Sequence, residues 1–544
     1  MKPRHYFVLF LLGIATASIV AFFQSSPGYM DADYYYAGGL QLAGGKGFTE
    51  PFLWNYLDNP ASLPHASHAY WMPMASLLAA FAMALTGNHT FSAARLGFIF
   101  FAGLVPPITA ALADRLGERR SAAILAGILA AFSGFYFVFL PTTDTFGVCM
   151  VLGGLFFLLS GKLNAATRIN RRSVFLTLGI LAGLLHLSRA DGLIWLITAL
   201  VAVYFSINWM EWKPISGPGK LTGERVDWLR RRVVEMLPGG LLVLLGYFII
   251  MGPWMVRNWL VFRTPLSPGA GHTLWLTNYD ELFIYPAAIL KPGRWWSTGV
   301  GAILKARAWA LGQNLQTVLA VQGVIFLAPL ILAGIWQRRK DQRIRLGLFA
   351  WVLVVILMTF FFPFAGARGG LFHAGAALQP LFWALVPVGL EAFIRMGSRL
   401  RGWKEPTAYK TFSVGIVMLA MMLSFLTAHS RLAGSGSQFL AWGQEQVSYR
   451  NLDAAILSSG ASPEDVVMVN NPPGYYSATA RRAIFTPYGD VSTLRTVAKR
   501  YHARYLLLEY NHPKDLDGLY DDPGDRPGLR YLFEFEDTQV YAIQ

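Results

Sequence analysis

Charged side chains are scarce in this chain. Only 14% of its 544 residues are Asp, Glu, Lys or Arg, whereas 54% are hydrophobic and 14% are aromatic. A soluble globular domain usually carries about a quarter of its residues as charges. The composition therefore argues against a soluble enzyme and predicts a polytopic protein of the cell membrane.

The chain also lacks a continuous basic face and a second cysteine. Its net charge of +15 comes from Lys and Arg residues in short clusters between apolar runs, as in cytoplasmic loops. Nucleic-acid recognition needs a basic patch, so we expect no nucleic-acid partner. The single Cys149 allows no intrachain disulfide and leaves the redox compartment open. The sequence has no internal repeat and no low-complexity tract.

Long apolar runs are abundant. A helix that spans the bilayer needs about 20 mostly apolar residues, and about eleven runs approach that length. They cover residues 6–23, 91–112, 121–140, 146–160, 174–187, 192–207, 236–255, 315–336, 346–364, 374–393 and 411–427.

The apolar run at residues 70–85 decides the topology. If this run lies along the outer surface, as an amphipathic or re-entrant helix, all the basic clusters fall on the cytoplasmic side. These clusters are residues 2–4, 115–120, 162–172, 213–232, 337–345 and 395–410. We therefore expect the loop 24–90 and the C-terminus to be extracytoplasmic. Cleavage of the first run as a signal peptide would leave the wrong parity of spans.

Residues 431–544 differ in character, because they are polar, charged and rich in turns. "VVMVN", "YLLLEY" and "AIFTPYG" predict strands, "VSTLRTVAKRYH" predicts a helix, and "RYLFEFEDTQVYAIQ" predicts a hairpin. "NNPPGYY" is either a tight turn or a ligand loop at the carboxyl end of a strand. The predicted fold is an all-α polytopic membrane domain with outer-face juxtamembrane helices, residues 1–430, followed by a small extracytoplasmic α/β domain.

Two acids stand just beyond the first apolar run. In "MDADYYY", Asp31 and Asp33 precede "AGGLQLAGGKGF", a segment that predicts a surface helix closed by Gly44 and Gly45. Such acids are either simply solvated or held where the polar head of an amphiphilic substrate lies. In the second case, one of them can serve as a general base.

Four stretches in order resemble a known family. They are "MDADYYY", "HAYWMPMASLLAAFAMALTG" followed by "NHTFSAARLGFIF", "PTTDTFGVCMVL" and "GPWMVRNWLVFRTPL". The chain thereby resembles the C-type superfamily of integral-membrane glycosyltransferases, especially the protein mannosyltransferases that use dolichyl-phosphate mannose and the lipid A aminoarabinose transferases. The resemblance covers residues 1–430 and rests on motif order and topology.

The resemblance implies a reaction. A sugar on a polyprenyl phosphate is transferred, with inversion, to an acceptor glycan, lipid or protein on the extracytoplasmic face. It implies that an acid of the first outer loop is the general base, with Asp31 the first choice and Asp33 the second. It further implies that Asp144 orients the acceptor or a metal ion, although an Asp ahead of an apolar run is also a typical helix cap.

Basic side chains on other outer turns are candidates for binding the donor phosphate. Arg189 either binds this phosphate or pairs with Asp191. Arg368, with Gly369 and Gly370 beside it, is a similar candidate, and His373 is a possible partner for it.

Cofactor evidence is weak, since no Asp, Glu and His residues cluster at metal-ligand spacing. His65 and His68 are candidate ligands of a divalent metal ion together with Asp31 or Asp144, or they are interfacial polar residues. Tyr35 is a further acceptor or metal candidate. Trp71, Trp275, Trp295 and Trp296 are candidates for stacking on a sugar or for anchoring at the interface.

Two other functions compete with the transferase. A transporter or flippase of lipid-linked sugars would be expected to have inverted repeats and ionisable residues at the bilayer midplane, whereas here these residues collect at the outer ends of spans. An O-antigen-type ligase or polymerase shares the outer Arg and His residues but generally lacks the acidic motif after the first span. The sugar, the acceptor and the oligomeric state stay open.

Overall fold

The computed structural model describes residues 1–117, 119–163, 168–206, 223–434 and 441–544. Helices dominate the first 433 residues. They are α1 Pro3–Phe22, α2 Met30–Ala43, α3 Met74–Thr86, α4 Phe91–Ala94, α5 Leu96–Leu116, α6 Arg120–Ala131, α7 Phe146–Ser160, α8 Arg168–Ser188, α9 Leu193–Phe205, α10 Gly223–Phe262, α11 Pro268–His272, α12 Pro292–Ser297, α13 Val300–Thr317, α14 Ala328–Arg338, α15 Gln342–Ile356, α16 Pro363–Ala365, α17 Leu371–Gly375, α18 Gln379–Arg401 and α19 Glu405–Ala433.

Six helices among the described residues are long and apolar enough to cross a membrane, judged by length and composition. They are Pro3–Phe22, Phe91–Leu116, Val234–Phe262, Gln342–Phe361, Pro363–Arg401 and Glu405–Ala433. The chain is therefore a multi-pass membrane protein. The count of eleven spans stays a prediction, and parts of three predicted basic clusters, residues 118, 164–167 and 213–222, lie outside the described residues.

The predicted span at residues 315–336 is interrupted. Helix α13 ends in a π-helical turn, Val318–Gln322, and the backbone then takes positive φ values at Val324 and Ile325. The helix restarts at α14, where Pro329 stands in the first turn. Proline suits that place because the amides of the first turn have no helical partner.

Small residues let the helices approach closely. A Cβ atom at Gly179 of α8 would collide with the carbonyl oxygen of Val243 on α10. In the same way, a Cβ atom at Gly246 of α10 would collide with the carbonyl oxygen of Leu176 on α8. Close approach of backbones through glycine is typical of helix packing in membranes, where apolar burial alone gives little attraction.

The run at residues 70–85 forms α3, which packs against α2. On α2, a Cβ atom added at Gly38 would lie 2.6 Å from Ser76 Oγ of α3, and one added at Gly39 would lie 2.8 Å from Ala79 Cβ. With 13 residues, α3 is about 20 Å long at 1.5 Å per residue, shorter than the hydrocarbon core of about 30 Å. Its placement along the outer surface stays a prediction.

The polar C-terminal region folds around a sheet. Its helices are α20 Gln444–Ser458, α21 Pro472–Thr479, α22 Val491–Tyr501 and α23 Asp517–Tyr520. The strands among the described residues are β1 Thr49–Glu50, β2 Phe52–Leu53, β3 His65–Ala66, β4 Val466–Val469, β5 Ala483–Phe485, β6 Ala503–Leu508, β7 Leu529–Phe535 and β8 Thr538–Ile543. The predicted strands, helix and hairpin are confirmed. "NNPPGYY" instead begins α21, where Asn471 Oδ1 accepts a hydrogen bond from the Gly474 amide at 3.0 Å.

This sheet includes a strand from the segment between α2 and α3. The six strands lie in the order β2-β5-β4-β6-β8-β7, and the two-residue strand β2 pairs in parallel with β5. The hydroxyl of Tyr56 donates a hydrogen bond to the Phe485 carbonyl oxygen. Residues 52–56 and the C-terminal region therefore form one continuous structure.

Candidate active site

A cavity of about 430 Å³ lies at the start of α2. Its polar wall contains Asp31, Tyr35, Arg189, Asp191, Arg368 and His373. The rest of the wall is mainly aromatic and aliphatic, with Trp54, Tyr70, Trp71, Tyr279, Phe283, Phe362, Met72, Ile194, Ile197, Leu357 and Met358. The cavity thus combines a few charged groups with a large apolar surface, as ligand sites commonly do.

Three of the predicted site residues meet at one end of this cavity. His373, on α17, has its Nε2 atom 3.5 Å from Asp31 Oδ2 and its Nδ1 atom 3.7 Å from Asp144 Oδ1. The His373 ring also stacks on Phe146, with 4.3 Å between ring centroids. The two acids and the imidazole therefore come from three separate parts of the chain.

Asp144 is buried and held by hydrogen bonds. The Tyr29 hydroxyl donates to Asp144 Oδ2 at 2.6 Å, and the Thr145 amide donates to Oδ1 at 2.5 Å. The neighbouring Thr143 hydroxyl donates to the Ala32 carbonyl oxygen at 2.7 Å. These bonds attach the turn before α7 to the first turn of α2, which carries Asp31.

These three residues fit a divalent metal ion. One ligand atom from each of Asp31, Asp144 and His373 lies within 4.8 Å of the others. His373 Nδ1 is buried and makes no hydrogen bond within the described residues. Carboxylate and imidazole groups together suit ions such as Zn²⁺ or Mn²⁺. The histidine of this set is His373, which sequence reasoning assigned to the phosphate.

The electrostatics of the cavity favour a proton on Asp31. Burial, together with the negative charge of Asp144, raises the pKa of Asp31 to about 7, and Arg189 opposes this rise. The Asp31 side chain keeps 31% of its surface accessible at the cavity wall. A carboxyl group with this pKa both accepts and releases a proton near neutral pH.

Both predicted phosphate-binding arginines line the cavity. Arg189 donates from Nε to Asp191 Oδ1 at 3.1 Å and from Nη2 to Asp191 Oδ2 at 2.8 Å, which is the pairing expected as the alternative. Arg368 lies over the Tyr279 ring, 4.9 Å from its centroid. Within the described residues, Arg368 forms no ion pair, so its guanidinium is available to an anion.

Asp33 does not join this group. Its side chain is only 1% exposed and turns to the C-terminal region, where Asn471 Nδ2 donates to Oδ2 at 3.1 Å and Gln446 Nε2 donates to Oδ1 at 3.4 Å. The first turn of α2 therefore directs one acid into the cavity and the other into the contact with α20 and α21. Burial, with Glu445 nearby, raises the pKa of Asp33 well above its usual value.

His65 and His68 also lie outside the cavity wall. His65 Nε2 is 3.4 Å from Glu50 Oε2, and His65 Nδ1 is 3.7 Å from Asp58 Oδ2. His68 is fully buried between the hydroxyls of Ser67 and Ser76, and burial lowers its pKa to about 4. The structure does not bring either histidine to Asp31 or Asp144.

Aromatic side chains complete the cavity. Tyr35 lines it beside Trp71, and Trp71 stacks on Trp54 with ring centroids 4.0 Å apart and planes 7° apart. Trp275, Trp295 and Trp296 are not among the described residues that line it. Sequence reasoning missed Trp54 and Tyr279, although the aromatic segments that carry them were a usable signal.

Two solved structures of ArnT have a similar fold. The structure is similar to ArnT from Cupriavidus metallidurans bound to undecaprenyl phosphate, with 13% identity, a TM-score of 0.52, and 99% of this chain and 98% of ArnT covered. It is similar to the apo state of ArnT at 12% identity, with a TM-score of 0.51 and coverage of 98% and 97%.

A second group of similar structures is archaeal. The Archaeoglobus fulgidus oligosaccharyltransferase in complex with Zn and sulfate has 13% identity and a TM-score of 0.52, with 91% of this chain and 67% of that chain covered. No protein-family model matches the sequence, and no curated protein matches it. The chain therefore shares its fold with ArnT and with the archaeal oligosaccharyltransferase.

Proposed function

We propose that this protein is a glycosyltransferase that moves a sugar from a polyprenyl-phosphate donor to an acceptor glycan, lipid or protein, with inversion, on the extracytoplasmic face. One observation carries the proposal. Asp31, Arg189, Arg368 and His373, which come from distant parts of the chain, line one cavity whose other walls are largely apolar. A lipid-linked sugar phosphate presents the matching chemistry, an apolar chain next to a charged phosphate and a polar sugar.

Asp31 acts as the general base. One carboxylate oxygen accepts the proton of the acceptor nucleophile while that nucleophile attacks the anomeric carbon from the side opposite the phosphate. The new bond joins the acceptor atom to the anomeric carbon, and the bond from this carbon to the phosphate oxygen breaks. Its electron pair leaves on the polyprenyl phosphate, which gains one negative charge. A pKa of about 7 leaves Asp31 partly ionised at neutral pH, as a general base requires.

Arg368 and Arg189 stabilise the charge on the leaving phosphate. Arg368 has no carboxylate partner among the described residues and lies on the cavity wall. Arg189 uses Nε and Nη2 for Asp191, so its Nη1 group can donate to a phosphate oxygen. Guanidinium groups fixed where negative charge develops lower the barrier because they need no reorientation during the reaction.

Asp144 and His373 support Asp31. Tyr29 and Thr145 hold Asp144 in place, and Asp144 raises the proton affinity of Asp31. Together, Asp31, Asp144 and His373 would hold a divalent ion. When bound, such an ion supplies positive charge against phosphate oxygens. The other steps above depend only on the protein's own side chains.

The apolar wall accounts for the lipid part of the donor. Leu357, Met358 and Phe362 line the cavity on or beside the long apolar helix Gln342–Phe361, and Ile197 lines it on the shorter apolar helix α9. Such a surface suits a polyprenyl chain, and the solved ArnT structure in the comparison holds undecaprenyl phosphate. We extend this ligand class to the present chain as part of the proposal.

The test uses purified protein in sealed proteoliposomes with a panel of radiolabelled polyprenyl-phosphate sugars and envelope lipid, glycan and peptide fractions as acceptors. We expect wild-type protein to form a labelled product from one donor. Asp31→Asn lowers this rate by about 10²–10⁴-fold, the usual contribution of a general base.

The matched control is Asp280→Asn, which neutralises an exposed acid that does not line the cavity. It retains the wild-type rate. Movement of label across the bilayer without any labelled product would support the flippase instead and would overturn the transferase.

A further inference from the structure

The C-terminal region contains a second cleft, of about 950 Å³, between α22, α23 and the turn before β7. Five of its sixteen lining residues carry basic side chains: Arg495, Lys499, His502, Arg504 and Arg526. Asp515 is the sole carboxylate side chain among the described residues that line it. The cleft shares no lining residue with the cavity of Asp31.

This concentration of positive charge is unlike the rest of the region. In residues 441–544, Asp and Glu outnumber Lys and Arg by 14 to 10. Four of these ten basic residues nevertheless line one cleft with a single acid. Like charges held together repel, and a concave surface focuses their field, so the cleft attracts anions from solution.

Three of the cations have no partner among the described residues. Arg495, Lys499 and Arg504 are exposed, and they form no ion pair or hydrogen bond with the described residues. Arg495 is nevertheless positioned, because its guanidinium lies directly against the backbone of Gly528 and leaves no room there for a Cβ atom. The cleft therefore presents its charges before any ligand arrives.

Arg526 is positioned by the turn that carries it. Its Nη2 atom donates to the Asp522 carbonyl oxygen at 3.0 Å, and its Nη1 atom donates to the Asp525 carbonyl oxygen at 3.2 Å. Nη2 also lies 3.1 Å from the Asp522 carboxylate, although that acid is 89% exposed. An exposed ion pair of this kind is weak, so it leaves Arg526 able to bind another anion.

Helix stabilisation explains only part of the pattern. Lys499 and His502 lie at the C-terminal end of α22, where positive charge complements the helix dipole. Arg495 is in the middle of α22, Arg504 is on β6 and Arg526 is on a turn, where the dipole gives them no such advantage. A binding role accounts for all of them together.

We propose that this cleft binds a soluble ligand that carries several phosphate groups, such as a multiply phosphorylated sugar head group. Arginine presents a planar fork of donors that matches two phosphate oxygens. A volume of about 950 Å³ is at the upper end of the usual 300–1,000 Å³ for ligand sites, far larger than one phosphate requires. The cations lie on three separate segments, which suits several phosphates on one molecule. The proposal is independent of the transferase reaction.

The test is calorimetric titration of the purified full-length protein with inositol hexakisphosphate, with inorganic phosphate titrated in parallel. We expect saturable binding of the hexakisphosphate, weakened by added salt, and at least 100-fold weaker binding of inorganic phosphate. The double variant Arg495→Gln/Arg504→Gln lowers the affinity at least tenfold. The matched control, Arg450→Gln/Arg530→Gln, removes two charges of the same region outside the cleft and leaves the affinity unchanged.

Several results would overturn the proposal. One is an equal loss of affinity in the control variant, and another is equal affinity for inorganic phosphate. Binding of phosphatidylglycerol vesicles through Arg495 and Arg504, without binding of the hexakisphosphate, would assign the cleft to a membrane surface instead. Since the cleft residues are exposed, unchanged melting temperatures will verify that the variants are folded, and Lys499→Gln provides an independent variant.

Discussion

The pH dependence of transfer is the sharpest consequence of the Asp31 environment. A general base must be ionised, so the rate follows the ionised fraction of Asp31 and rises with pH. With a pKa of about 7, about one tenth of Asp31 is ionised at pH 6 and about nine tenths at pH 8. We therefore expect the rate to fall about tenfold from pH 8 to pH 6. An Asp with its ordinary pKa of about 3.9 would give no change over this range.

The variant Asp144→Asn tests the cause of this shift. Burial is the first cause of the raised pKa of Asp31, and the charge of Asp144 is the second. Since a nearby charge shifts a pKa by about 1–3 units, removing it should move the acidic limb of the rate profile at least one unit lower. The position of the limb is the readout, because the maximal rate also reflects how Asp144 supports His373.

The assay measures initial rates of product formation between pH 5 and pH 9 in saturating donor, both with a chelator and with an added divalent ion. A bound cation favours the carboxylate form of Asp31, so the limb should move to lower pH when the ion is present. A limb below pH 5 in the chelator would refute the reasoning, and so would an unchanged limb in Asp144→Asn.

Three further predictions concern the metal and the contact between α2 and the C-terminal region. Added Mn²⁺ should raise the melting temperature of the wild-type protein but not of His373→Ala; equal stabilisation of both would exclude the three-residue metal set. Asn471→Ala removes the side-chain amide that donates to both Asp33 and Glu445, at 3.1 Å from each. The loss should cost about 1–3 kcal/mol of stability, measured by thermal unfolding. An unchanged midpoint would contradict this prediction. Burial raises the pKa of Glu509 to about 8, so the folded state holds a proton that the unfolded chain releases near pH 4, and stability should fall from pH 4 to pH 8. Glu509→Gln should reduce that slope, and an unaltered slope would reject this assignment.

Local patterns in the sequence predicted most of the helices. Apolar runs of sufficient length coincide with helices because a bilayer requires every backbone group to be bonded within its own segment. The interruption between α13 and α14 was missed, since residues 318–327 are as apolar as their neighbours. The apolar composition of a segment indicates that it is buried. It does not indicate where packing with neighbouring helices interrupts the helix.

The candidate site was harder to predict, because it depends on contacts between distant parts of the chain. Asp31 and Asp33 differ by only two positions, yet the helix directs one to the cavity and the other to Asn471. Their spacing alone could not separate them, because both lie in the first turn of one helix. The pairing of β2 with β5 joins residues more than 400 positions apart, and a two-residue strand has no periodicity to detect.

The position of the histidines was hard to predict for the same reason. His65 and His68 were candidate metal ligands because they lie three residues apart, just before a predicted surface helix, whereas His373 is more than 300 residues from Asp31 along the chain. In the folded chain, α17 places His373 next to Asp31, whereas His65 pairs with Glu50. Residue type indicated which kinds of side chain to consider, and only the fold showed which histidine lies beside Asp31.

Donor binding and transfer, measured separately on the same variants, test the central claim most directly. In a binding assay with a fluorescent polyprenyl-phosphate sugar, Asp31→Asn should bind the donor as the wild-type protein does, while its transfer rate falls at least 100-fold. Arg368→Ala should instead weaken donor binding at least tenfold. A wild-type transfer rate in Asp31→Asn would contradict the claim that this cavity is the site of sugar transfer with Asp31 as its base.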